Sequence, residues 1–333
     1  MLAMISVISG NNLLYLVLAA MFSVLLISGF VSKLVLAGLE VDLVVPEHIS
    51  ARRKTAATLR FKNLKRWMPT FSIRISGTDQ GGLSEPIFFP VVPGGTRIDE
   101  PVELYFAKRG RYEERTFQLS TRFPFGFAER HERVTLRQSV VVYPCLDPHP
   151  GFEELASSIV GQMESAEDNL QRGTGQDFYR FRPYQISESA RHVDWKATAH
   201  TGALQVREFA RDEEQALLIY LDLDVPAEYS VWFEAAVECA AFLAFRLSQS
   251  GRAVRLLTQD ADLFAAQHDG VYTILRYLGL VTARPGWPPM GPENGSGWDQ
   301  FHIALSARPA LLGSLGWETD GPRSKVFGPQ DIA

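Results

Sequence analysis

Cysteine is scarce in this chain. Cys145 and Cys239 are the only two, far apart and outside any C-x-x-C pattern, which argues against a disulfide framework and a zinc site and fits a reducing compartment. Each is expected to be a small buried apolar residue. An excess of positive charge is also missing: the formal net charge is −5 and the basic clusters are short, so no electrostatic footprint for nucleic acid is present. Catalytic signatures are absent as well. The seven histidines form no H-E-x-x-H, no G-x-S-x-G elbow occurs, and neither a third glycine at the required offset nor Gly-Lys-Ser/Thr follows Gly173 and Gly175. That excludes a P-loop and a dinucleotide fingerprint. His192 and His200, near Asp194, are the remaining candidates for a hydrolytic or metal site; a structural histidine is the commoner reading. The expectation is a protein that is not an enzyme.

Charge of either sign is missing from residues 13–31, LLYLVLAAMFSVLLISGFV, a run of 19 residues. As a helix it covers about 28 Å of a roughly 30 Å hydrocarbon core. A signal peptide would need a positive n-region and an A-x-A-like site, and a core helix rarely runs this long without a polar face; a membrane span is the reading carried forward. No charge precedes the run, whereas Lys33, Arg52, Arg53, Lys54, Lys62, Lys65 and Arg66 follow it. By the positive-inside rule the bulk of the chain is expected in the cytoplasm, on a single-pass anchor in the inner cell membrane with lipid as one partner.

The 333 residues leave room for about two soluble domains beyond an anchor. The boundaries are an anchor over 1–38, a β-sandwich over 39–147, a linking segment over 148–212 and an α/β domain over 213–333. In the second region, short alternating runs such as Val41–Val45, Phe71–Ile75, Thr116–Leu119 and Val140–Tyr143 are separated by Gly81-Gly82 and Pro93-Gly94-Gly95, the pattern of an antiparallel sandwich. Pro124 and Gly126 make a tight turn expected to direct Phe123, Phe125 and Phe127 into the core. Residues 153–169 are expected to hold one short helix in a polar, mobile stretch. In the last region, strands at 216–221, 253–258 and 301–306 alternate with helices at 231–250 and 271–280, which implies a doubly wound α/β sheet. Residues beyond Thr282 read as a loop insertion, and the tail after Trp317 as disordered.

The linking segment carries the densest pattern. It contains Gly173, Gly175, Asp177, Phe178, Arg182 and Tyr184, followed by Arg191, Asp194, Trp195 and Lys196. Partly buried Arg and Asp persist when paired, so one reading is a salt-bridged clamp between the flanking domains, and the other a recognition surface for an acidic partner loop. The pattern G-x-G-x-D-F-x-x-x-R-x-Y with R-x-V-D-W-K-A-T-A resembles the signature of the family called domain of unknown function 58. Arg109-Gly110-Arg111-Tyr112 and Phe123–Phe127 resemble that family too.

The resemblance implies a membrane-anchored protein with a von Willebrand factor A-like domain as its α/β part, working with a MoxR-type AAA+ ATPase and sibling membrane proteins. It also implies two N-terminal apolar helices. Ser9–Tyr15 matches the turn before the second, so the first is expected to be missing or truncated here. Ser187-Glu188 stands where Gly-Asp is common, and His200 where Arg is common. In a von Willebrand factor A-like domain D-x-S-x-S holds a metal; the corresponding residues are Asp222-Leu223-Asp224-Val225-Pro226, without either serine. Asp222 and Asp224 therefore stand as a degenerate site for Mg or Ca, against carboxylates hydrogen-bonded to loop amides, with no other cofactor expected. The functional expectation is an adaptor that assembles or remodels complexes at the membrane. The alternatives are an envelope structural protein independent of an ATPase and a degenerate divalent-metal-dependent binder.

Overall fold

The computed structural model describes residues 12–77, 82–147, 150–172, 178–183, 205–209, 216–266, 268–291, 301–318, 320–321 and 324–332. The chain divides into two compact units, Met1–Cys145 and Leu146–Ala333.

The first unit begins with α1 (Asn12–Leu36), the apolar run. Among the described residues it is one helix long and apolar enough to cross a membrane. Eight strands follow: β1 (Leu39–Val44), β2 (Ile49–Ser50), β3 (Thr55–Asn63), β4 (Thr70–Gly77), β5 (Ile87–Val92), β6 (Arg97–Leu104), β7 (Gly110–Thr121) and β8 (Arg130–Tyr143). They form a three-stranded sheet, β1-β3-β6, and a five-stranded sheet, β2-β8-β7-β4-β5. Every pairing is antiparallel except β2 with β8. Period-two alternation puts Ala57, Leu59 and Phe61 of β3 on one buried face, and both sheets feed one apolar core that includes Val35 and Leu36 at the end of α1. Phe61 stacks on Phe89 of β5 with ring centroids 5.2 Å apart.

The turn between β7 and β8 departs from expectation. Phe123 is half-buried and stacks on Phe71 at 4.7 Å, but Phe125 and Phe127 are exposed. Gly126, at φ 75°, reverses the chain, and the reversal points the last two rings away from the core rather than into it.

The second unit opens with α2 (Pro150–Arg172), a helix of 23 residues where the sequence reading expected a short one. Ala156, Ile159 and Met163 lie at helical spacing and are buried, so one apolar stripe holds a helix whose overall composition is polar. Then come β9 (Phe178–Pro183), β10 (Gln205–Phe209), β11 (Leu217–Leu221), α3 (Ser230–Gln249), β12 (Val254–Leu257), β13 (Asp262–Ala265), α4 (His268–Leu280), β14 (His302–Leu305), α5 (Pro309–Ser314), β15 (Asp320–Gly321) and β16 (Ser324–Phe327). β9 and β10 form an antiparallel ribbon, and the other strands form a six-stranded sheet in the order β13-β12-β11-β14-β16-β15. Its centre, β12-β11-β14-β16, is parallel. The tail expected to be disordered supplies β16, because Ser324–Phe327 completes the hydrogen bonds of β14 along its open edge. α2 packs on α3, with Phe152 and Phe242 ring centroids 6.4 Å apart. Both cysteines are free and buried, and burial pushes the Cys239 thiol up to about 12.

Candidate functional site at the strand ends of the second unit

β11 is flanked by β12 on one side and β14 on the other. The chain thus leaves β11 in one direction and returns on the opposite side, and the carboxyl ends of parallel strands at such a switch of direction form the usual crevice of an open α/β sheet. Three segments meet there: residues 222–226 after β11, 258–261 after β12 and 306–308 after β14.

Asp222 is 2% exposed and Asp224 6% exposed. Burying two carboxylates is costly unless donors replace water, and donors meet every oxygen. Asp222 Oδ1 accepts from Gln259 Nε2 at 2.6 Å and from the Asp224 N–H at 3.0 Å; Oδ2 accepts from Ser306 Oγ at 2.6 Å. Asp224 Oδ1 accepts from the Gly286 N–H at 2.7 Å, and Oδ2 from Arg308 Nη1 at 3.2 Å. Gln259 is fixed from its other end, its Oε1 accepting from the Leu223 N–H at 3.0 Å. Ser306 Oγ in turn accepts from the Arg308 N–H at 3.0 Å. Burial raises the Asp222 carboxyl above its ordinary value and the Asp224 charge adds to that rise, while the hydrogen bonds from Ser306, Asp224 N–H and Gln259 work against it.

The segment 281–291 straps over this crevice. The Arg284 N–H donates to the Leu223 carbonyl at 2.7 Å, its guanidinium pairs with Asp260 at 3.0 Å and lies 4.4 Å from the Trp287 ring centroid. Further along, Met290 is tied from both backbone groups: its N–H donates to Tyr220 Oη at 3.0 Å and its carbonyl accepts from Trp317 Nε1 at 2.8 Å. Tyr220 and Trp317 stack at 4.9 Å. Asp260 also accepts from Tyr277 Oη and Thr258 Oγ1. Burial opposes ionisation of Asp260, but those hydrogen bonds and the Arg284 cation outweigh it and hold its carboxyl below the usual value.

Asp222 and Asp224 thus come together as the sequence placed them, at the end of a strand, with hydrogen bonds from loop amides among their partners. Among the described residues no group of three His, Cys, Asp or Glu side chains is arranged to hold a metal. The hydrogen bonds tie the three loops together through the two carboxylates as a clasp, and a divalent cation here would share those oxygens with Gln259, Ser306, Gly286 and Arg308. Gln259, Ser306 and Arg308 were missed by sequence reasoning; their one signal is that each is polar and stands one to three residues beyond an apolar strand.

Of the signature residues, Phe178 and Arg182 lie on β9, where Arg182 is in register with Val206 and Phe178 with Phe209 of β10. Arg180 is in register with Glu208. Gly173, Gly175, Asp177, Tyr184, Arg191, Asp194, Trp195 and Lys196 lie outside the described residues. Residues 180–293 match the family described as Protein of unknown function DUF58, which supports that family for the stretch running from β9 through the Asp222 clasp to the strap. No curated protein matches the chain.

Proposed function

From the DUF58 match over residues 180–293, we propose that this protein is a membrane-anchored adaptor without catalytic activity, working with a MoxR-type AAA+ ATPase and sibling membrane proteins to assemble or remodel complexes at the membrane. The observation that carries the anchor is the way α1 ends. Val35 and Leu36 belong to the core of the first unit, and Lys65 Nζ donates to the Leu34 and Val35 carbonyls at 2.9 and 2.8 Å, satisfying groups a helix C-terminus leaves open. A cleaved leader would take part of that core with it, so an integral helix is the better reading.

In this proposal the first unit is a β-sandwich and the second a von Willebrand factor A-like domain, both cytoplasmic. The parallel sheet supports the second assignment, and the clasp around Asp222 and Asp224 fixes the loops that such a domain presents to a partner. The ATPase comes from the resemblance of the signature segment alone. A mild-detergent pull-down of the tagged native protein, with and without non-hydrolysable ATP, tests it. Nucleotide-dependent recovery of an AAA+ ATPase is expected. Recovery of envelope proteins only, indifferent to nucleotide, would replace this reading with that of a structural envelope protein.

A further inference from the structure

α1 does not leave its apolar run cleanly. Ser28 and Ser32 are buried although they lie in or beside the charge-free stretch, because the β7–β8 turn of the first unit lies against them. Ser32 Oγ is 2.7 Å from the Phe123 carbonyl and 2.7 Å from the Ser28 carbonyl. The turn is therefore fixed at the level of residues 28–32, about one turn or more before the helix ends at Leu36. At that level the other face of α1 is exposed and apolar, with Leu25, Leu26, Ile27 and Phe30.

Two features of the turn are unexplained by folding. Phe125 is 51% exposed and Phe127 68% exposed, their ring centroids 5.9 Å apart. Gly126 N donates to the Arg122 carbonyl at 2.8 Å, so the backbone presenting them is closed on itself. Charge returns immediately beyond: Arg122 pairs with Glu129 at 2.9 Å and Arg130 is exposed. A third aromatic stands at the helix end. Trp67, 94% exposed, is two residues from the Lys65 that caps α1. The loop carrying it is held close to Gly94, where a Cβ would meet the Lys65 carbonyl oxygen at 2.6 Å.

We propose that Phe125 and Phe127, with Trp67, form a second membrane contact: an aromatic collar in which the two phenylalanines enter the acyl boundary beside α1 and Trp67 rests at headgroup level. The occupant is the bilayer because the exposed rings belong to the turn that meets α1 at Ser32, where the exposed face of the helix is apolar, and charged residues flank them in sequence at Arg122, Glu129 and Arg130, a combination that suits a lipid interface. The collar would fix the first unit against the membrane rather than let it swing on α1. This inference rests on the reading of α1 as a membrane span.

The test uses the full chain reconstituted in phosphatidylcholine–phosphatidylglycerol vesicles, with an environment-sensitive dye on single introduced cysteines and nitroxide-labelled lipid as quencher. Native Cys145 and Cys239 are buried and take up little dye. Phe125→Cys and Phe127→Cys are expected to give blue-shifted emission quenched by acyl-chain nitroxide, and Trp67→Cys emission quenched by headgroup nitroxide. Leu26→Cys on the helix reports the span itself, and Glu113→Cys and Val231→Cys serve as aqueous controls. Quenching at Leu26 with water-like emission at 125 and 127 would overturn the collar and leave the span standing. Blue-shifted emission at 125 and 127 without lipid quenching would overturn it in favour of a protein partner or second copy. No lipid quenching at Leu26 would remove the span, and the collar with it.

Discussion

Ser306 is the most economical point at which to challenge the clasp. Its hydroxyl is fully buried, donates to Asp222 Oδ2 at 2.6 Å and accepts the Arg308 N–H at 3.0 Å. Alanine keeps the backbone and almost all of the volume, so the lost interactions dominate. A hydrogen bond to an ionised group contributes about 1.5–3 kcal/mol. The Arg308 N–H adds little, because Arg308 is exposed and its backbone can turn to water. Ser306→Ala should therefore cost roughly 1.5–3 kcal/mol at pH 7, which for a unit of this size lowers the melting temperature by roughly 3–12 °C. Ser314→Ala, which removes an exposed hydroxyl bonded to the Leu311 carbonyl at 2.7 Å, is the control and should stay within about 0.5 kcal/mol. The measurement is thermal unfolding of the purified full chain in detergent, followed by tryptophan fluorescence, since Trp232, Trp287 and Trp317 report on the second unit. The loss should shrink in acid, where a protonated Asp222 no longer requires that donor. A fall for Ser306→Ala no larger than that of Ser314→Ala at pH 7 would refute the account of Asp222 as a buried, donor-dependent carboxylate.

Further expectations follow from the same geometry. Because the Asp222 carboxyl is raised in the fold, the native state keeps its proton where the unfolded chain, near pH 4, has lost it; the favourable contribution present below that range is lost as pH rises through the raised value. Unfolding measured from pH 4 to 7 should show this loss in the parent and a flatter profile in Asp222→Asn, and equal slopes would count against it. Arg115 is 1% exposed and none of its three guanidinium nitrogens meets a hydrogen-bond partner among the described residues. Arg115→Met is expected to be neutral or to stabilise the first unit by about 1–3 kcal/mol, and a clear destabilisation in urea would reveal an ionic partner. Ile159→Ala, in the buried stripe of α2, should cost about 2–4 kcal/mol; a change below 0.5 kcal/mol in the same assay would mean that the stripe does not carry the docking of that helix.

What was legible in the sequence was what neighbouring residues decide. A 19-residue run without charge reads as a helix because every position is apolar, and α1 forms there. Alternation in stretches such as Phe71–Ile75 appears as strands with one buried face, and the continuous apolar run at 216–221 appears as the buried strand β11. Composition misled where a few residues outweigh many. The polar segment 153–169 reads as mobile, yet three buried side chains at helical spacing give a helix of 23 residues. The tail after Trp317 lacks a strong pattern because β16 is only four residues, Ser324–Phe327, paired along the edge of β14.

The amino-acid sequence by itself determined the apolar helix, the succession of strands and helices, and the two aspartates at the end of β11, since each follows from periodicity or from adjacency along the chain. Only the tertiary structure decided that Gln259, Gly286, Ser306 and Arg308 close on those aspartates, from 37 to 84 residues away, and that Phe125 and Phe127 stay exposed in the turn that meets the helix at Ser32. The physical reason is common to both: the partners of a buried carboxylate, and the surface left uncovered by a turn, are set by which segments the sheets bring side by side.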